Sequence, residues 1–351
     1  MEKTVLVLGA KGRLGTAVAL AFARRGWRVV AQRRAGGSAP RGAHPHINWL
    51  QADVADTAAL AAAAQGASVV VHAMNPARYT AAAWQAEMPD LTRHAIDVAR
   101  VLKAVLLFPG NVYNFGEQMP AMLTPATVQV PTTAKGRIRV ALEQQLQQAA
   151  RDQGLNVVVI RAGDFFGSGG GSWLDQIIVK KLPQGRITWP GPRHIVHAWS
   201  YLPDLADSFS RVAEATPWQA GGRFECLTHA GHAVTGQQWI EALTGIAGRQ
   251  GWLPRGGQLR VSTLPWPLLA LAAPFSPMVA SLREMRYLWQ RPHQLDGAAL
   301  AARIGPLTHT PLIVAAEAAL ADLGMIPATS PAGADPAPLV GSPVATRSVR
   351  A

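Results

Sequence analysis

The N-terminal segment of the chain restricts its fold more than any other feature. An apolar run, Val5 to Leu8, leads into glycines at positions 9, 12 and 15, and the helical stretch Thr16 to Arg25 follows. A strand that passes through a glycine turn into a helix is the opening half of a βαβ unit. The segment therefore predicts a parallel sheet covered by helices.

The same alternation of short apolar runs and helical stretches continues along the chain, as in α/β folds. The predicted strands are Val5 to Leu8, Arg28 to Ala31, Ile47 to Leu50, Ser68 to Ala73, Ala104 to Phe108 and Asn156 to Arg161. After Gly167 the pattern predicts a helix over Ser172 to Leu182 and a strand over Arg186 to Trp189. A strand and helix over His194 to Ala215 and a strand over Arg223 to Leu227 then return to the sheet.

The predicted fold is α/β: a Rossmann, doubly wound parallel sheet with a smaller, mainly C-terminal substrate lobe. We expect residues 1–166 and 194–230 to form an interleaved dinucleotide-binding domain. Residues 167–193 and 231–327 would form the substrate lobe. Residues 328–351, rich in Pro, Ala, Ser and Gly, predict a disordered tail.

Composition narrows the possible functions. The single cysteine, Cys226, excludes an intramolecular disulfide framework and multi-cysteine metal sites, and the ten histidines show no metal-ligand spacing, so no metal is predicted. The net charge of +12 comes from scattered basic residues without a nucleic-acid-binding motif, which makes direct nucleic-acid binding unlikely. The N-terminal apolar run is too short for a signal peptide, and prolines interrupt the most hydrophobic later stretch, so we expect a cytoplasmic protein with no membrane partner.

Each glycine of the first turn has a physical reason to be there. Gly9 permits the tight turn, Gly12 lets the backbone approach a pyrophosphate, and Gly15 lets the helix pack closely on the strand. The helix N-terminus then faces the anion. The segment predicts a dinucleotide site that includes Gly9, Lys11, Gly12, Arg13, Leu14 and Gly15. The alternative is a glycine-rich turn that binds nothing.

The end of the second predicted strand indicates which dinucleotide binds. A protein that selects NAD usually places an acid there, whereas this chain has Arg33 and Arg34. Together with Lys11 or Arg13, these guanidinium groups could pair with a 2'-phosphate. The sequence therefore predicts NADP in preference to NAD, unless the arginines are only a solvated rim of the sheet.

Four motifs together resemble the short-chain dehydrogenase/reductase superfamily, in its extended, epimerase/dehydratase-like branch. They are the glycine turn, Asp53-Val54, His72 to Pro76 and Arg161 to Gly167. The resemblance covers about residues 4 to 230 and makes a small-molecule substrate and a homodimer reasonable. It implies cofactor contacts from Asp53, Val54, His72, Ala73, Met74, Asn75, Ala162, Gly163, Asp164 and Phe165. Asp53 could instead cap the following helix, and His72 could be a satisfied core histidine.

The chain departs from the superfamily at its catalytic positions. The superfamily uses a Tyr, a Lys four residues later and a Ser or Thr. Alignment places Lys135 at the tyrosine, Arg139 at the lysine and Pro109 at the serine. Lys135 would serve as an acid only if burial and the like charge of Arg139 lowered its pKa towards neutrality. Otherwise Lys135 is a cation that polarises a substrate carbonyl or helps to bind the cofactor, and Arg139 bonds the cofactor ribose.

The segment after the fifth strand supplies two further candidates. Tyr113 could donate a proton and Asn111 could bind a substrate oxygen, because loops at the carboxyl end of the sheet reach the cofactor crevice. A packing role for Tyr113 is the alternative. The sequence thus predicts an NADP-dependent oxidoreductase or epimerase-like enzyme with a non-standard site. A noncatalytic NADP(H)-binding redox sensor and a cofactor-stabilised regulatory subunit remain alternatives.

Overall fold

The computed structural model describes residues 3–34, 36, 44–215 and 221–327. The predicted tail, residues 328–351, lies outside these ranges. The strands are β1 (Thr4–Leu8), β2 (Arg28–Arg33), β3 (Ile47–Gln51), β4 (Ala67–His72), β5 (Val105–Gly110), β6 (Met122–Leu123), β7 (Val157–Arg161), β8 (Asp164–Phe166), β9 (Arg186–Trp189), β10 (Val196–Tyr201), β11 (Phe224–Thr228), β12 (His232–Thr235), β13 (Arg260–Thr263) and β14 (Gln294–Leu295). The helices are α1 (Arg13–Arg24), α2 (Thr57–Ala63), α3 (Ala81–Leu102), α4 (Ala134–Gln153), α5 (Leu202–Glu214), α6 (Gly236–Arg249), α7 (Trp266–Ala272), α8 (Pro277–Glu284), α9 (Ala298–Ile304) and α10 (Leu312–Asp322).

A seven-stranded sheet in the order β11-β7-β5-β4-β1-β2-β3 forms the centre of the protein. Every neighbouring pair in it runs parallel. The order reverses between β1 and β4, which is where doubly wound folds bind their ligands, at the carboxyl ends of the strands. The predicted fold class is confirmed.

Alternating side chains of the central strands pack into two cores. Val5 and Val7 of β1 lie in the core beneath α1 and α5, whereas Leu6 and Leu8 lie in the opposite core beneath α3 and α4. All four side chains have 0% exposure. Because both faces of the sheet are covered at β1, this strand is apolar on both faces from Val5 to Leu8 rather than alternating with polar residues.

Residues 167–193 depart from the predicted local structure. The predicted helix over Ser172 to Leu182 is wrong: the chain forms a π-helical turn, Leu174–Ile178, and a short 3-10 turn, Leu182–Gln184. Pro183 disfavours helical geometry at the residue before it, and Gly185 turns the chain with φ 68°. The strand predicted at Arg186–Trp189 is confirmed as β9.

Three smaller sheets lie outside the central sheet. Strand β10 pairs with β8 in parallel and with β12 in antiparallel orientation, while β13 pairs with β9 and β14 with β6. A set of tryptophans packs together beneath these elements, including Trp189, Trp199 and Trp289. The division of the chain into the two domains stays a prediction.

Candidate functional site

The glycine turn has the geometry of an anion cradle. Gly9 adopts φ +74°, which a side chain would disfavour. Gly12 lies directly before α1, where no side chain caps the helix and no acid occupies the first turn. The amides at this helix N-terminus therefore face the carboxyl edge of the sheet as donors for an anion. The adjoining Lys11 is exposed and Leu14 is buried.

Gly15 and Gly12 differ in how tightly they are enclosed. A Cβ at Gly15 would lie 2.3 Å from the carbonyl oxygen of Gly9, so the close approach of α1 to the turn requires glycine. A Cβ at Gly12 would meet only the Gly9 oxygen, at 3.3 Å, and the Ala73 oxygen, at 3.9 Å. The protein therefore leaves space beside Gly12, as an approaching pyrophosphate requires.

Arg13 joins the glycine turn to the segment around β8. Its guanidinium group donates to the carbonyl oxygen of Gly167 at 2.9 and 3.2 Å and to that of Phe165 at 3.4 Å. Burial lowers the pKa of Arg13, and Asp175 and Asp322 oppose that shift. The predicted phosphate contact from this side chain thus competes with three bonds that it already makes.

The end of β2 lies beside the glycine turn. The Gln32 side chain is buried, accepts from the Gly9 amide at 2.9 Å and donates to the Ala52 oxygen at 2.8 Å. Arg33 is half-buried and Arg34 is exposed. Two cations therefore follow Gln32 at the position where an NAD-selective protein would place an acid.

The two aspartates in the segment after β3, Asp53 and Asp56, have different roles. The carboxylate of Asp53 accepts from the Ala55 amide at 2.9 Å, and that of Asp56 accepts from the Ala59 amide at 2.9 Å. Asp56, not Asp53, is therefore the N-cap of α2, and the capping alternative for Asp53 is wrong. Asp53 is exposed and Val54 is half-buried at the sheet edge.

His72 is fully buried at the end of β4. Its Nδ1 accepts from the Met74 amide at 3.3 Å, and its Nε2 lies 3.1 Å from the Thr92 hydroxyl. Burial and, less strongly, the charge of Arg139 lower its pKa to about 3, so the ring is neutral. With partners on both ring nitrogens, His72 is a satisfied core histidine. It shapes the turn that follows, in which Ala73 and Met74 are half-buried and Asn75 is exposed.

The turn from Arg161 to Phe166 packs against β10. Ala162 is fully buried, and a Cβ at Gly163 would lie 2.3 Å from the Ala198 oxygen. Asp164 extends towards the C-terminal half, where its carboxylate lies 2.9 Å from Nε2 of His197. Nδ1 of His197 lies 3.1 Å from the carbonyl oxygen of Leu288, which fixes this pair against the second half of the chain.

Lys135 is a buried lysine at the start of α4. It lies in the first turn of α4, its exposure is 0%, and its Nζ has no hydrogen-bond partner among the described residues. Nζ lies 4.0 Å from the centre of the Tyr79 ring. Burial lowers the pKa of Lys135 to about 8, and the charge of Glu284 opposes the shift.

Of the two causes predicted for a lowered pKa of Lys135, burial acts and the charge of Arg139 does not. We expected the like charge of Arg139 to contribute, but desolvation of the ammonium group is the dominant cause and Arg139 is not among the causes. The position of Lys135 near the positive end of a helix dipole works in the same direction.

Two tyrosines form a pair beside Lys135. The hydroxyl groups of Tyr79 and Tyr113 lie 3.0 Å apart. Burial raises the pKa of both tyrosines, so both stay protonated at neutral pH. Asn111 accepts from the Tyr113 amide at 3.0 Å, which uses its carbonyl oxygen locally and leaves its amide group for another partner.

Arg139 holds the end of β5. Its guanidinium group donates to the Pro109 oxygen at 3.0 Å and lies over the rings of Trp84 and Phe108 at 4.9 and 5.5 Å. Burial lowers its pKa. Arg139 thus ties α4 to the strand end where the superfamily has its serine, and its predicted bond to the cofactor ribose stays a prediction.

A cleft of about 730 Å³ opens beside this group. Its walls come from the start of α3, the residues before α4 and the segment 273–291, which brings Glu284 and Tyr287 to the site. The Glu284 carboxylate accepts from the Ala134 amide at the start of α4. The Tyr287 hydroxyl is buried without a hydrogen-bond partner among the described residues, and burial raises its pKa.

Sequence reasoning missed three residues of this site: Tyr79, Glu284 and Tyr287. Tyr79 follows β4 at the carboxyl edge of the sheet, a position that could have indicated it. Glu284 and Tyr287 follow Lys135 by about 150 residues, and no local pattern connects them to it.

The described residues contain neither a membrane-spanning helix nor a cluster of metal ligands. None of the helices placed in the structure is long and apolar enough to cross a membrane. Across 3–34, 36, 44–215 and 221–327, no three His, Cys, Asp or Glu side chains converge as metal ligands would.

The sequence pattern of the NAD dependent epimerase/dehydratase family matches residues 5–224. A search of curated proteins finds no matching sequence.

Similar solved structures share the fold at low identity. A nucleoside-diphosphate-sugar epimerase from Pseudomonas aeruginosa is 18% identical with a TM-score of 0.66, covering 91% of this chain and 97% of its own. L-threonine dehydrogenase from Clostridium difficile is 16% identical with a TM-score of 0.67, covering 92% and 98%. UDP-glucuronic acid 4-epimerase from Bacillus cereus, in complex with UDP-glucuronic acid and NAD, is 14% identical with a TM-score of 0.67, covering 90% and 97%.

Proposed function

The chain belongs to the NAD dependent epimerase/dehydratase family, and from that premise we propose that it is an NADP-dependent oxidoreductase or epimerase-like enzyme. Its substrate is a small molecule with a carbonyl or hydroxyl group. The observation that carries the proposal is Lys135, a buried ammonium group without a hydrogen-bond partner among the described residues. Its chain neighbour Ala134 lines the cleft, together with Glu284 and Tyr287.

The residues around the glycine turn fit a dinucleotide. The space beside Gly12 and the uncapped start of α1 would hold the pyrophosphate, and the segments 53–54, 72–75 and 162–165 would border the remainder. Bound there, the dinucleotide would supply or accept a hydride. The Bacillus cereus epimerase binds NAD, whereas Arg33 and Arg34 at the end of β2 favour a 2'-phosphate in this chain.

Lys135 is the proposed proton donor to the substrate oxygen. With a pKa of about 8, most of its ammonium groups are protonated at pH 7, yet the proton is held less strongly than by an exposed lysine. Proton donors work best when their pKa lies near the working pH. A substrate oxygen would also provide the hydrogen-bond partner that Nζ lacks in the protein.

The neighbouring groups position the substrate. Tyr79 and Tyr113 stay protonated, so their pair can donate one hydrogen bond outward but cannot act as a base. Tyr287 adds a second buried donor without a partner among the described residues. Glu284 neutralises part of the positive charge at the start of α4 and faces the cleft.

The proposal is tested first by cofactor binding and then by turnover. Calorimetric titration with NADPH and NADH comes first, followed by NADPH oxidation with a panel of small carbonyl compounds and nucleotide sugars. We expect tighter binding of NADPH, and turnover that Lys135→Met abolishes while NADPH affinity stays within about 3-fold. Arg137→Met, an exposed neighbour on the same helix, is the matched control.

The outcomes separate the candidate functions. Failure to bind either dinucleotide would overturn the proposal entirely. Tight NADPH binding without turnover on any substrate would favour the redox sensor that the absent Tyr-x-x-x-Lys pair suggests.

A further inference from the structure

An apolar patch covers the short helices α7 and α8. We name Leu268, Leu271, Phe275 and Met278 the lobe patch; their side chains are 64%, 73%, 88% and 42% exposed. Leu268 and Leu271 are one turn apart on α7, and Phe275 and Met278 continue the surface into α8. Contiguous exposed apolar surface of this kind marks an interaction site.

The lobe patch is held rigidly on the protein. Trp266, at the start of α7, is buried and its indole N–H donates to the Pro190 oxygen at 2.6 Å. Arg286 lies 5.7 Å from the centre of the Trp266 ring. The hydroxyl of Ser276 caps α8 by accepting from the Val279 amide at 3.4 Å. The exposed side chains therefore do not result from a loose segment.

The charged side chains that flank the lobe patch in the sequence are mostly arginines, and the exposed Glu117 lines the adjoining cleft. No charged residue occurs between Leu264 and Leu282, and the chain then places arginines on both sides. The exposed arginines are Arg255, Arg260, Arg283, Arg286 and Arg291. Glu284 is the only acid from residue 250 to residue 295, and its carboxylate turns inward to the Ala134 amide.

We propose that the lobe patch docks on the surface of an anionic lipid bilayer. Apolar side chains would enter the boundary between headgroups and acyl chains while the arginines pair with lipid phosphates. A second copy of the chain is the poorer occupant, because a twofold contact through this patch would bring its flanking arginines against one another. The acids of the adjoining cleft are Glu117 and Glu284, and the Glu284 carboxylate turns inward to the Ala134 amide. This mode of association uses the surface only, so it requires no spanning helix, and it revises the expectation of no membrane partner.

Docking also sets the orientation of the molecule. Ala273, Pro277, Ala280 and Arg283 of the same segment line the cleft described above. The bilayer would therefore lie next to one wall of the cleft. The proposal does not depend on the enzyme assignment, since it rests on the apolar surface of α7 and α8 and on the arginines that flank it.

Flotation of the full-length protein with vesicles tests the proposal. We expect the protein to float with vesicles of phosphatidylglycerol and phosphatidylcholine. With vesicles of phosphatidylcholine alone, it should remain at the bottom of the gradient. The double variant L271Q/F275Q should lower binding about 10-fold or more, because two exposed apolar side chains lose their burial. Both side chains are exposed, so the thermal midpoint should stay unchanged.

Matched variants make the result specific. V101Q/V128Q changes two side chains that are 60% and 76% exposed on other elements, and it should bind as the wild type does. R260Q/R283Q should weaken binding to the anionic vesicles, and added salt should do the same.

Three results would overturn the proposal. The first is no flotation with anionic vesicles. The second is unchanged vesicle binding by L271Q/F275Q, which would show that charge attraction alone binds the protein and that the lobe patch does not contribute. The third is a concentration-dependent dimer in sedimentation that L271Q/F275Q abolishes, which would assign the patch to a second copy of the chain.

Discussion

The glycine turn and the centre around Lys135 lie at the same edge of the sheet, but they draw on different stretches of the chain. The turn comes from consecutive residues between β1 and α1, and main-chain groups do most of its work. The Lys135 centre combines the loop after β4, the segment after β5, the start of α4 and the end of α8. A site made of main-chain groups keeps its geometry through many side-chain substitutions. A site made of side chains can change one residue at a time while the fold stays the same.

That difference fits the way in which the chain resembles and departs from the superfamily. The glycine turn keeps the pattern of its family, because its geometry forbids most alternatives. The resemblance predicts Lys135, Arg139 and Pro109 at the positions where the superfamily has its Tyr, Lys and Ser. Arg139 bonds the Pro109 oxygen and so preserves the mutual placement of helix and strand.

Gly12→Val should have the largest effect on cofactor binding. A Cβ there meets protein atoms no closer than 3.3 Å, so the fold should tolerate it, but the side chain occupies the space left for a pyrophosphate. We expect the affinities for NADPH and NADH to fall about 100-fold or more in calorimetric titration. Gly245→Val, where a Cβ would meet nothing closer than 3.8 Å, should leave both affinities unchanged. Equal affinities of Gly12→Val and wild type would refute the cradle.

Lys135→Met should separate activity from stability. Turnover should fall about 10²- to 10⁴-fold if Lys135 is the proton donor. The free energy of unfolding at pH 7 should rise by about 1–3 kcal/mol in urea unfolding, because the variant removes the desolvation cost of a buried charge. A lower free energy of unfolding for Lys135→Met would show that the buried Lys135 side chain stabilises the folded protein.

The same residue predicts a pH dependence of stability. Lys135 has a pKa of about 8 when folded and 10.5 ordinarily, so the unfolded chain binds the extra proton between these values. The cost of burying the charge is therefore fully present below pH 8 and is relieved as the pH rises towards 10.5. Relative to Lys135→Met, the wild type should gain free energy of unfolding over this interval. An identical pH dependence of the two proteins would contradict the burial argument.

Arg33→Ala with Arg34→Ala should change cofactor choice more modestly. We expect NADPH affinity to fall about 10- to 100-fold and NADH affinity about 3-fold or less, since only NADPH carries the 2'-phosphate. Arg24→Ala, at an exposed position of α1, controls for general loss of positive charge. Equal losses for both cofactors would refute the 2'-phosphate assignment.

Asp56→Ala and Asp53→Ala should show the smallest effects and should differ from each other. Asp56 caps α2, so its replacement should cost about 1 kcal/mol of stability and leave cofactor affinity unchanged. Asp53→Ala should change stability by about 0.5 kcal/mol or less. It should weaken binding of both dinucleotides if the carboxylate borders the adenine. Thermal unfolding and titration distinguish these results.

The central sheet could be predicted from sequence because its signals are local. All seven strands lie within two residues of their predicted bounds, since each is a short apolar run between turn residues. The helix predicted over Ser172 to Leu182 failed because its periodicity did not reveal how Pro183 and Gly185 would redirect the chain.

The chemical site could be predicted only in part for the same reason. Tyr113 was predicted from its place in the segment after the fifth strand, whereas Lys135 and Arg139 were predicted from the resemblance to the superfamily. Tyr79 and Glu284 were missed because their roles arise from tertiary packing against Lys135. The burial of Lys135, which sets its pKa, is likewise a property of the assembled fold.

A direct titration of Lys135 tests the central claim. The side-chain resonances of isotopically labelled lysines would be followed by NMR against pH in the full-length protein, with the Lys135 signal identified by its loss in Lys135→Met. We expect a midpoint near pH 8 for Lys135. A midpoint near the ordinary lysine value of 10.5 would contradict the account, because Lys135 would then be a solvated cation and not a buried proton donor.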